Sequence, residues 1–142
     1  MPLLPAAYSE AISFSFGDSP ELADELLGLV LAGKKTATCG ALRDFGAGGE
    51  PMPQVGRRDI VLDGQGRPAA VIETTEVTVK RFDEVDESFA RDEGEGDLSL
   101  AYWRGAHETY FARNGGFAPD MDVVCERFRL IQVLVPDRSD RP

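Results

Sequence analysis

The chain has 142 residues, 42% of them hydrophobic and 28% charged, with a formal net charge of −10 at pH 7. This length suits one hydrophobic core, and no apolar run approaches the ~20 residues that cross a bilayer, which argues against a membrane protein. The acidic balance repels polyanions at long range, so any nucleic-acid binding would need a local basic cleft.

The two ends of the chain and its cysteines limit its class further. Residues 1–9 and 136–142 read as polar or proline-bearing tails around a single domain at residues 10–135. The N-terminal tail lacks the basic region of a secretory signal. Cys39 and Cys125 are too few for a disulfide framework or a zinc site. We therefore expect a cytoplasmic protein with reduced thiols and with neither a metal ion nor a cofactor.

The first predicted helix begins near Asp18 and ends at Gly33. Asp18 is suited to cap the helix, Pro20 falls in its first turn, and Glu21 has the spacing of a capping box. Apolar residues at helical spacing follow as far as Val30, and Gly33 suits the left-handed residue that ends a helix.

The middle of the chain predicts strands and turns. Residues 36–42 read as a short strand, and residues 45–53 are too rich in Gly and Pro for regular structure. That loop is interpreted either as a plain connector or as a segment that closes over a ligand. Residues 58–62 and 69–79 are strand-like, and residues 63–66 between them form a hairpin turn.

The C-terminal half predicts two helices and a strand. Residues 82–91 suit a short amphipathic helix, and Asp97 can cap a longer one from residue 98 to about residue 114. Residues 123–135 read as a long strand. Strands interspersed with three helices predict a mixed α+β fold.

Gly33, Lys35 and Thr38 form a Gly-x-Lys-x-x-Thr motif, and characteristic segments follow at residues 61–74 and 89–107. This ordered set resembles the ASCH domain family, a member of the PUA-like group of RNA-associated folds, and its larger bacterial branch in particular. The similarity extends from about residue 12 to residue 133. The resemblance implies a small PUA-like β-barrel flanked by about three helices, and an RNA- or nucleotide-binding protein.

The resemblance also implies three candidate catalytic residues. In the short ASCH proteins that hydrolyse N4-acetylcytidine, the proposed catalytic Lys, Thr and Glu match Lys35, Thr38 and Glu93. Lys35 would deprotonate Thr38, the hydroxyl would attack the acyl carbon, and Glu93 would move protons at the leaving amine. This chain departs from the short branch in having Phe89 where a His stands there, and a Gly-Glu-Gly insertion after Glu93.

Further candidate ligand contacts surround the motif and continue on the third helix: Gly33, Lys34, Thr36, Ser99, Trp103, Arg104 and His107. Ser99 either binds a phosphate at the helix start or caps the helix. The stripe of Trp103, His107 and Tyr110 either packs in the core or stacks on a base, with Arg104 on a phosphate. Lys34 and Lys35 either complement the helix dipole or line the cleft.

Three functional hypotheses remain open at this point. In the first, the cleft binds a short single strand of RNA or a nucleotide. In the second, the cleft is the site of an enzyme, either a metal-independent amidohydrolase for N4-acylated cytidine or a ribonuclease. In the third, the acidic run at residues 83–97 docks a basic partner. The expected ligand is a short RNA strand or a modified nucleoside, because the net charge disfavours a long duplex.

Overall fold

The computed structural model describes Tyr8, residues 11–46 and residues 48–134, so most of the two predicted tails lies outside the described residues. Within these ranges one mixed sheet packs against three α-helices. The strands are β1 (Ser13–Phe14), β2 (Ala37–Ala41), β3 (Arg58–Leu62), β4 (Pro68–Arg81) and β5 (Asp122–Val133), and the helices are α1 (Pro20–Leu31), α2 (Glu87–Glu93) and α3 (Leu100–Arg113).

The strands follow the order β1-β3-β4-β5-β2 across the sheet. β1 pairs in parallel with β3, and the other neighbouring pairs are antiparallel. β1 and β2 form the two edges and do not pair with each other in the described part of the chain. The mixed α+β class is therefore confirmed, whereas the closed barrel that the resemblance implies is not. Register shifts in β4, one of them between Thr74 and Glu76, mark bulges that bend the sheet without closing it.

The first helix starts one residue later than the sequence predicts. Ser19, not Asp18, is the N-cap, and its hydroxyl accepts a hydrogen bond from the Leu22 amide at 3.1 Å. Asp18 instead accepts from Arg113 at the end of α3, at 2.6 Å. Either residue type can cap a helix, so only the tertiary contact to α3 decides between them.

The hairpin of β3 and β4 is confirmed, with its turn at residues 63–66. The predicted helix at residues 82–91 is instead a 3₁₀ turn, Phe82–Glu84, followed by α2, which Asp86 caps. The third helix begins at Leu100 and not at Leu98, because Leu98 has a left-handed φ of 69° and Ser99 is the cap. β1 was not predicted, since two residues are too few to show a period.

The core has two main parts. α1 packs on β3 and β4 through a cluster that includes Leu26, Val30, Val61 and Ile72. α2 and α3 pack on β2 and β5 through a second cluster, which includes Phe89, Trp103, Phe111, Val123 and Cys125. Side chains of both α1 and α3 line a cleft between the two parts. No helix among the described residues is long and apolar enough to span a membrane.

Candidate functional site

The turn after α1 separates two neighbouring lysines. The Gly33 amide donates to the Val30 carbonyl at 3.0 Å and the Lys34 amide to the Leu29 carbonyl at 2.9 Å, the pattern of a Schellman motif. Gly33 takes the left-handed φ of 77° that this motif needs, as the sequence predicts. Lys34 then points outward and is exposed, while Lys35 turns inward and is 2% exposed.

Lys35 is held by carboxylates on the loop that follows α2. Its Nζ donates to Glu93 Oε1 at 2.9 Å, to the Glu93 carbonyl at 3.3 Å and to Glu95 Oε2 at 3.0 Å. Burial alone would lower the pKa of Lys35, but the charges of Glu93 and Glu95 outweigh it and raise that pKa. The ammonium group keeps its proton, so the structure does not support Lys35 as the base that deprotonates Thr38.

Gly94 allows the end of α2 to approach this turn closely. It is the C-cap of α2, with a left-handed φ of 76°, and a Cβ placed there would overlap the Lys34 carbonyl. The adjoining backbone is hydrogen-bonded to the same segment, since the Thr36 amide donates to the Asp92 carbonyl at 2.7 Å. Close backbone contact therefore fixes Glu93 beside Lys35.

Glu93 also accepts hydrogen bonds from two side chains of α3. Trp103 Nε1 lies 2.9 Å and His107 Nε2 lies 3.3 Å from Glu93 Oε2. Burial alone would raise the pKa of Glu93, but the Lys35 and His107 charges lower it well below the ordinary value. Glu93 is therefore an ionised carboxylate in the interior, 1% exposed.

The two partners of His107 fix its protonation. Its Nδ1 lies 2.9 Å from the Trp103 carbonyl, which can only accept, and its Nε2 faces the Glu93 carboxylate. Both ring nitrogens therefore carry protons. Burial opposes the charge, but Glu93 raises the pKa of His107 above the ordinary 6.5. The cations Lys35 and His107 thus balance the anions Glu93 and Glu95.

Cys39 completes a potential ligand set that sequence spacing did not reveal. Ligand atoms of Cys39, Glu93 and His107 lie within 4.8 Å of one another, a combination that zinc can use. However, Glu93 already accepts from Lys35 on one oxygen and from α3 on the other. Burial followed by the Glu93 charge raises the pKa of the Cys39 thiol well above its ordinary value. The protonated arrangement therefore fits a hydrogen-bonded charge cluster better than a metal centre.

This charge cluster forms one side of a cavity of about 570 Å³ between α1 and α3. Apolar walls come from Phe16, Leu22 and Leu26 on the α1 side and from Tyr102 and Tyr110 on α3. The polar groups that reach the cavity include Lys35, Thr38, Cys39, Glu93, Glu95 and His107. The three predicted catalytic residues therefore share one cavity. Thr38 has no side-chain hydrogen bond in the described part of the chain, to Lys35 and Glu93 included.

A second cavity of about 640 Å³ adjoins the first, and Phe16, Thr38, Cys39 and Tyr110 are among the residues that border both. Its walls include Phe45, Glu50 and Pro51, so the Gly/Pro-rich loop at residues 45–53 borders this space. Asp59, Glu126 and Arg57 also line it. Thr38 thus borders both cavities.

Most of the other predicted ligand contacts lie outside both cavities. Gly33 and Lys34 are in the exposed turn, and Thr36 donates to the Asp92 carbonyl at 3.4 Å. Ser99 caps α3 by accepting from the Tyr102 amide at 3.0 Å. Thr36 and Ser99 therefore bind backbone groups, and none of these four residues lines either cavity.

The aromatic stripe on α3 divides between the core and the cleft. Trp103 is 2% exposed, with Phe82 and His107 stacked on its ring, so no face is free for a base. Arg104 is exposed outside the cleft, with its guanidinium 3.4 Å from the Asp83 carbonyl. His107 borders the first cavity, as predicted for a ligand contact.

The sequence patterns did not identify Phe16, and they included Glu95 only within the Gly-Glu-Gly insertion after Glu93. Phe16 lies in the segment before α1, and its ring centroid is 5.4 Å from Lys35 Nζ. The signal for Glu95 was its position between two glycines, which reverses the chain after α2. Inside the acidic run, Glu93 and Glu95 therefore belong to the cleft and not to an outward docking face.

The ASCH domain family model matches residues 12–132. This chain belongs to the ASCH domain family. The family is generally linked to RNA binding. No curated protein shows significant similarity to the chain.

Solved structures agree with this assignment. The ASCH domain from Lactobacillus crispatus is 36% identical with a TM-score of 0.80, over 87% of this chain and 81% of that one. A protein from Enterococcus faecalis is also 36% identical, with a TM-score of 0.80 over 92% and 81% of the two chains. An ASCH protein from Zymomonas mobilis is 13% identical, with a TM-score of 0.53 over 92% and 77%, and supports the fold alone.

Proposed function

We propose that this ASCH domain binds a nucleoside, either free or unpaired in a short RNA strand, and hydrolyses an acyl amide on its base. The single observation behind the proposal is the position of the buried Lys35–Glu93 pair at an apolar cavity of about 570 Å³. Burying such a pair costs desolvation free energy that packing alone does not require. A cavity of this size and character suits a small aromatic ligand.

The charges around the cavity favour an uncharged ligand. Lys35 is neutralised by two carboxylates, and Arg113 at the cavity edge is paired with Asp18, with 2.6 Å between Nε and Oδ2. Neither cation is available to bind a phosphate. This arrangement argues against the ribonuclease alternative, in which Lys35 would stabilise a phosphorane. It supports the nucleoside amidohydrolase alternative.

The side chains can be given roles in amide hydrolysis. The Thr38 hydroxyl, free of hydrogen bonds within the described residues, would attack the acyl carbon and form an ester as the C–N bond breaks. His107, which Glu93 holds in its protonated form, would donate a proton to the leaving amine. Water would then hydrolyse the ester, releasing the carboxylic acid and restoring Thr38. The Lys35 ammonium would hold Glu93, and through it His107, in position.

N4-acetylcytidine is the first substrate to test. Thr38→Val keeps the shape of the side chain but removes the nucleophile, so turnover should fall by about 100-fold or more. The reaction is run with chelator present, and chromatography measures how fast cytidine is released. Thr78→Val is the matched control, because Thr78 is exposed on β4 outside both cavities. Full turnover by Thr38→Val would contradict the assigned mechanism, and absence of turnover by the wild type would reject the substrate.

A further inference from the structure

Thr38 has a carboxyl partner across the sheet. In the antiparallel pairing of β2 with β5, Thr38 lies directly opposite Glu126. Opposed residues project to the same face with Cβ atoms about 4.5–5.5 Å apart. Both residues border the second cavity. Cys39, the next residue of β2, packs instead against the α2–α3 cluster on the opposite face.

Glu126 has one oxygen occupied and one available. Thr74 Oγ1 donates to Glu126 Oε2 at 2.6 Å, whereas Glu126 Oε1 has no hydrogen-bond partner among the described residues. Burial is the main factor that raises the pKa of Glu126, and the nearby charge of Asp59 adds to it. The hydrogen bond from Thr74 opposes this rise in pKa most, and Arg57 opposes it less. The Arg57 guanidinium is itself held by both Asp59 oxygens at 2.8 Å.

The other titratable groups near Thr38 are either engaged by charged partners or not opposite it in the strand register. Lys35 and His107 are held protonated by carboxylates. The Glu93 oxygens are occupied by donors from Lys35 and α3, and the pKa of Glu93 is lowered. Asp44 and Glu50 also border the second cavity, but on the loop side of it. Glu126 alone among these groups combines a free oxygen with a register position opposite the hydroxyl.

We infer that Glu126 is the general base that activates Thr38. The Thr38 Oγ1 proton passes to Glu126 Oε1, directly or through one water, as Oγ1 bonds to the acyl carbon. The C–N bond breaks, and the leaving amine takes its proton from His107. In the second half-reaction water attacks the ester, and its two protons restore Thr38 and His107. The proton held by Glu126 leaves with the carboxylic acid product, so that Glu126 returns to its carboxylate form. The identity of the acyl substrate rests on the proposed function, whereas the pairing of Glu126 with Thr38 does not.

Glu126→Gln tests the role of the base without removing the contact with Thr74, because the amide oxygen can still accept from Thr74. We expect kcat on N4-acetylcytidine to fall by about 100-fold or more with little change in KM. In the wild type, kcat/KM should rise with pH, and the midpoint of this rise should lie above 4.5, the ordinary pKa of Glu. The Glu126→Gln variant should lack this acid limb of the pH profile. Glu126→Asp should recover part of kcat.

The matched control is Asp122→Asn, which removes an exposed carboxylate from the same strand. It should leave kcat and the pH profile unchanged. Thermal unfolding of both variants shows whether a loss of kcat comes from unfolding. Wild-type kcat and an unchanged acid limb in Glu126→Gln would overturn the inference.

A second measurement does not depend on the natural substrate. p-Nitrophenyl acetate transfers its acetyl group to an activated hydroxyl with release of p-nitrophenol, and peptide mass spectrometry locates the acetyl ester. Acetylation of Thr38 that Glu126→Gln abolishes would support the inference even if N4-acetylcytidine is not turned over, and only the proposed substrate would then fail. Equal acetylation of Thr38 in both proteins, or none in the wild type, would overturn it.

Discussion

Glu93 shows how a single residue organises the cleft. Its carboxylate is 1% exposed and accepts hydrogen bonds from Lys35 on one side and from α3 on the other. Removing one partner of a buried ion pair typically costs about 3–5 kcal/mol, because the other charge is left unpaired. The arrangement therefore holds Lys35 and His107 in their charged forms, and replacing Glu93 should destabilise the protein.

The charge of His107 should make stability depend on pH. Because its folded pKa lies above 6.5, the His107–Glu93 pair contributes fully below that value, and this contribution is lost as pH rises through the folded pKa. The contribution of Glu93 to stability changes with pH in the opposite direction. Because its folded pKa is lowered, this contribution is present above pH 4.5 and is lost as the pH falls below that value. The difference in unfolding free energy between wild type and His107→Gln should therefore shrink as pH rises above 6.5. Urea unfolding across that range measures it.

A direct titration provides the control for this prediction. His107 is the only histidine of the sequence, so one proton NMR resonance reports its pKa. Glu93→Gln should lower that pKa, because burial remains while the carboxylate is lost. Glu108→Gln, an exposed change at the neighbouring position of α3, should not. A His107 pKa that is the same in Glu93→Gln and wild type would contradict the assigned pair.

At the scale of elements, two helix ends bring the cleft together. α1 ends in the Schellman motif that turns Lys35 inward, and α2 ends at Gly94 against the same backbone. Neither helix supplies the geometry alone, because Lys35 and Glu93 are 58 positions apart. The close approach of the two turns brings Lys35 Nζ to 2.9 Å from Glu93 Oε1.

Gly94→Ala should therefore lower stability. An L-residue pays about 1–2 kcal/mol for the left-handed conformation, and the new Cβ would also overlap the Lys34 carbonyl. We expect a loss of at least about 2 kcal/mol by urea unfolding. Gly28→Ala is the matched control: Gly28 is exposed inside α1 with open space at its Cβ position, and should gain about 0.5–1 kcal/mol. Equal effects of the two changes would argue against the close contact.

At the scale of the whole molecule, the net charge of −10 restricts the ligand. The described basic side chains near the cleft are largely engaged, with Lys35 between carboxylates and Arg113 on Asp18. Long-range repulsion therefore opposes a nucleic-acid backbone, while an uncharged nucleoside is unaffected. An RNA ligand would bind through an unpaired nucleotide and not along a duplex.

Binding should accordingly be insensitive to salt. The affinity of Thr38→Val for N4-acetylcytidine, measured by calorimetry, should change less than about twofold between about 50 and about 200 mM salt. A phosphate-dominated site would lose affinity steeply over that interval, because bound counterions are released. A short duplex RNA serves as the comparison ligand and should bind more weakly than N4-acetylcytidine at every salt concentration. Tight, salt-sensitive duplex binding would refute this view of the surface.

Local sequence patterns accounted for much of the fold. They predicted the core of α1 and its left-handed end at Gly33, the hairpin of β3 and β4, and the long helix α3. These features depend on neighbours within a few positions, where spacing and turn chemistry act directly. The boundaries at Ser19 and Leu100 shifted because several adjacent residues could cap. The contact of Asp18 with Arg113 decided the start of α1, and the left-handed Leu98 followed by the Ser99 cap decided the start of α3.

Beyond these local elements, the sequence determined two things through the motif resemblance. It pointed to the ASCH family, and it pointed to the residues that share the cleft. Only the tertiary structure showed that the sheet stays open, that Trp103 packs in the core, and that two carboxylates hold Lys35 charged. It also placed Glu126 opposite Thr38, 88 positions along the chain, through the pairing of β2 with β5. Such arrangements come from strand register and burial between distant segments, and the charge state of each group follows from those neighbours.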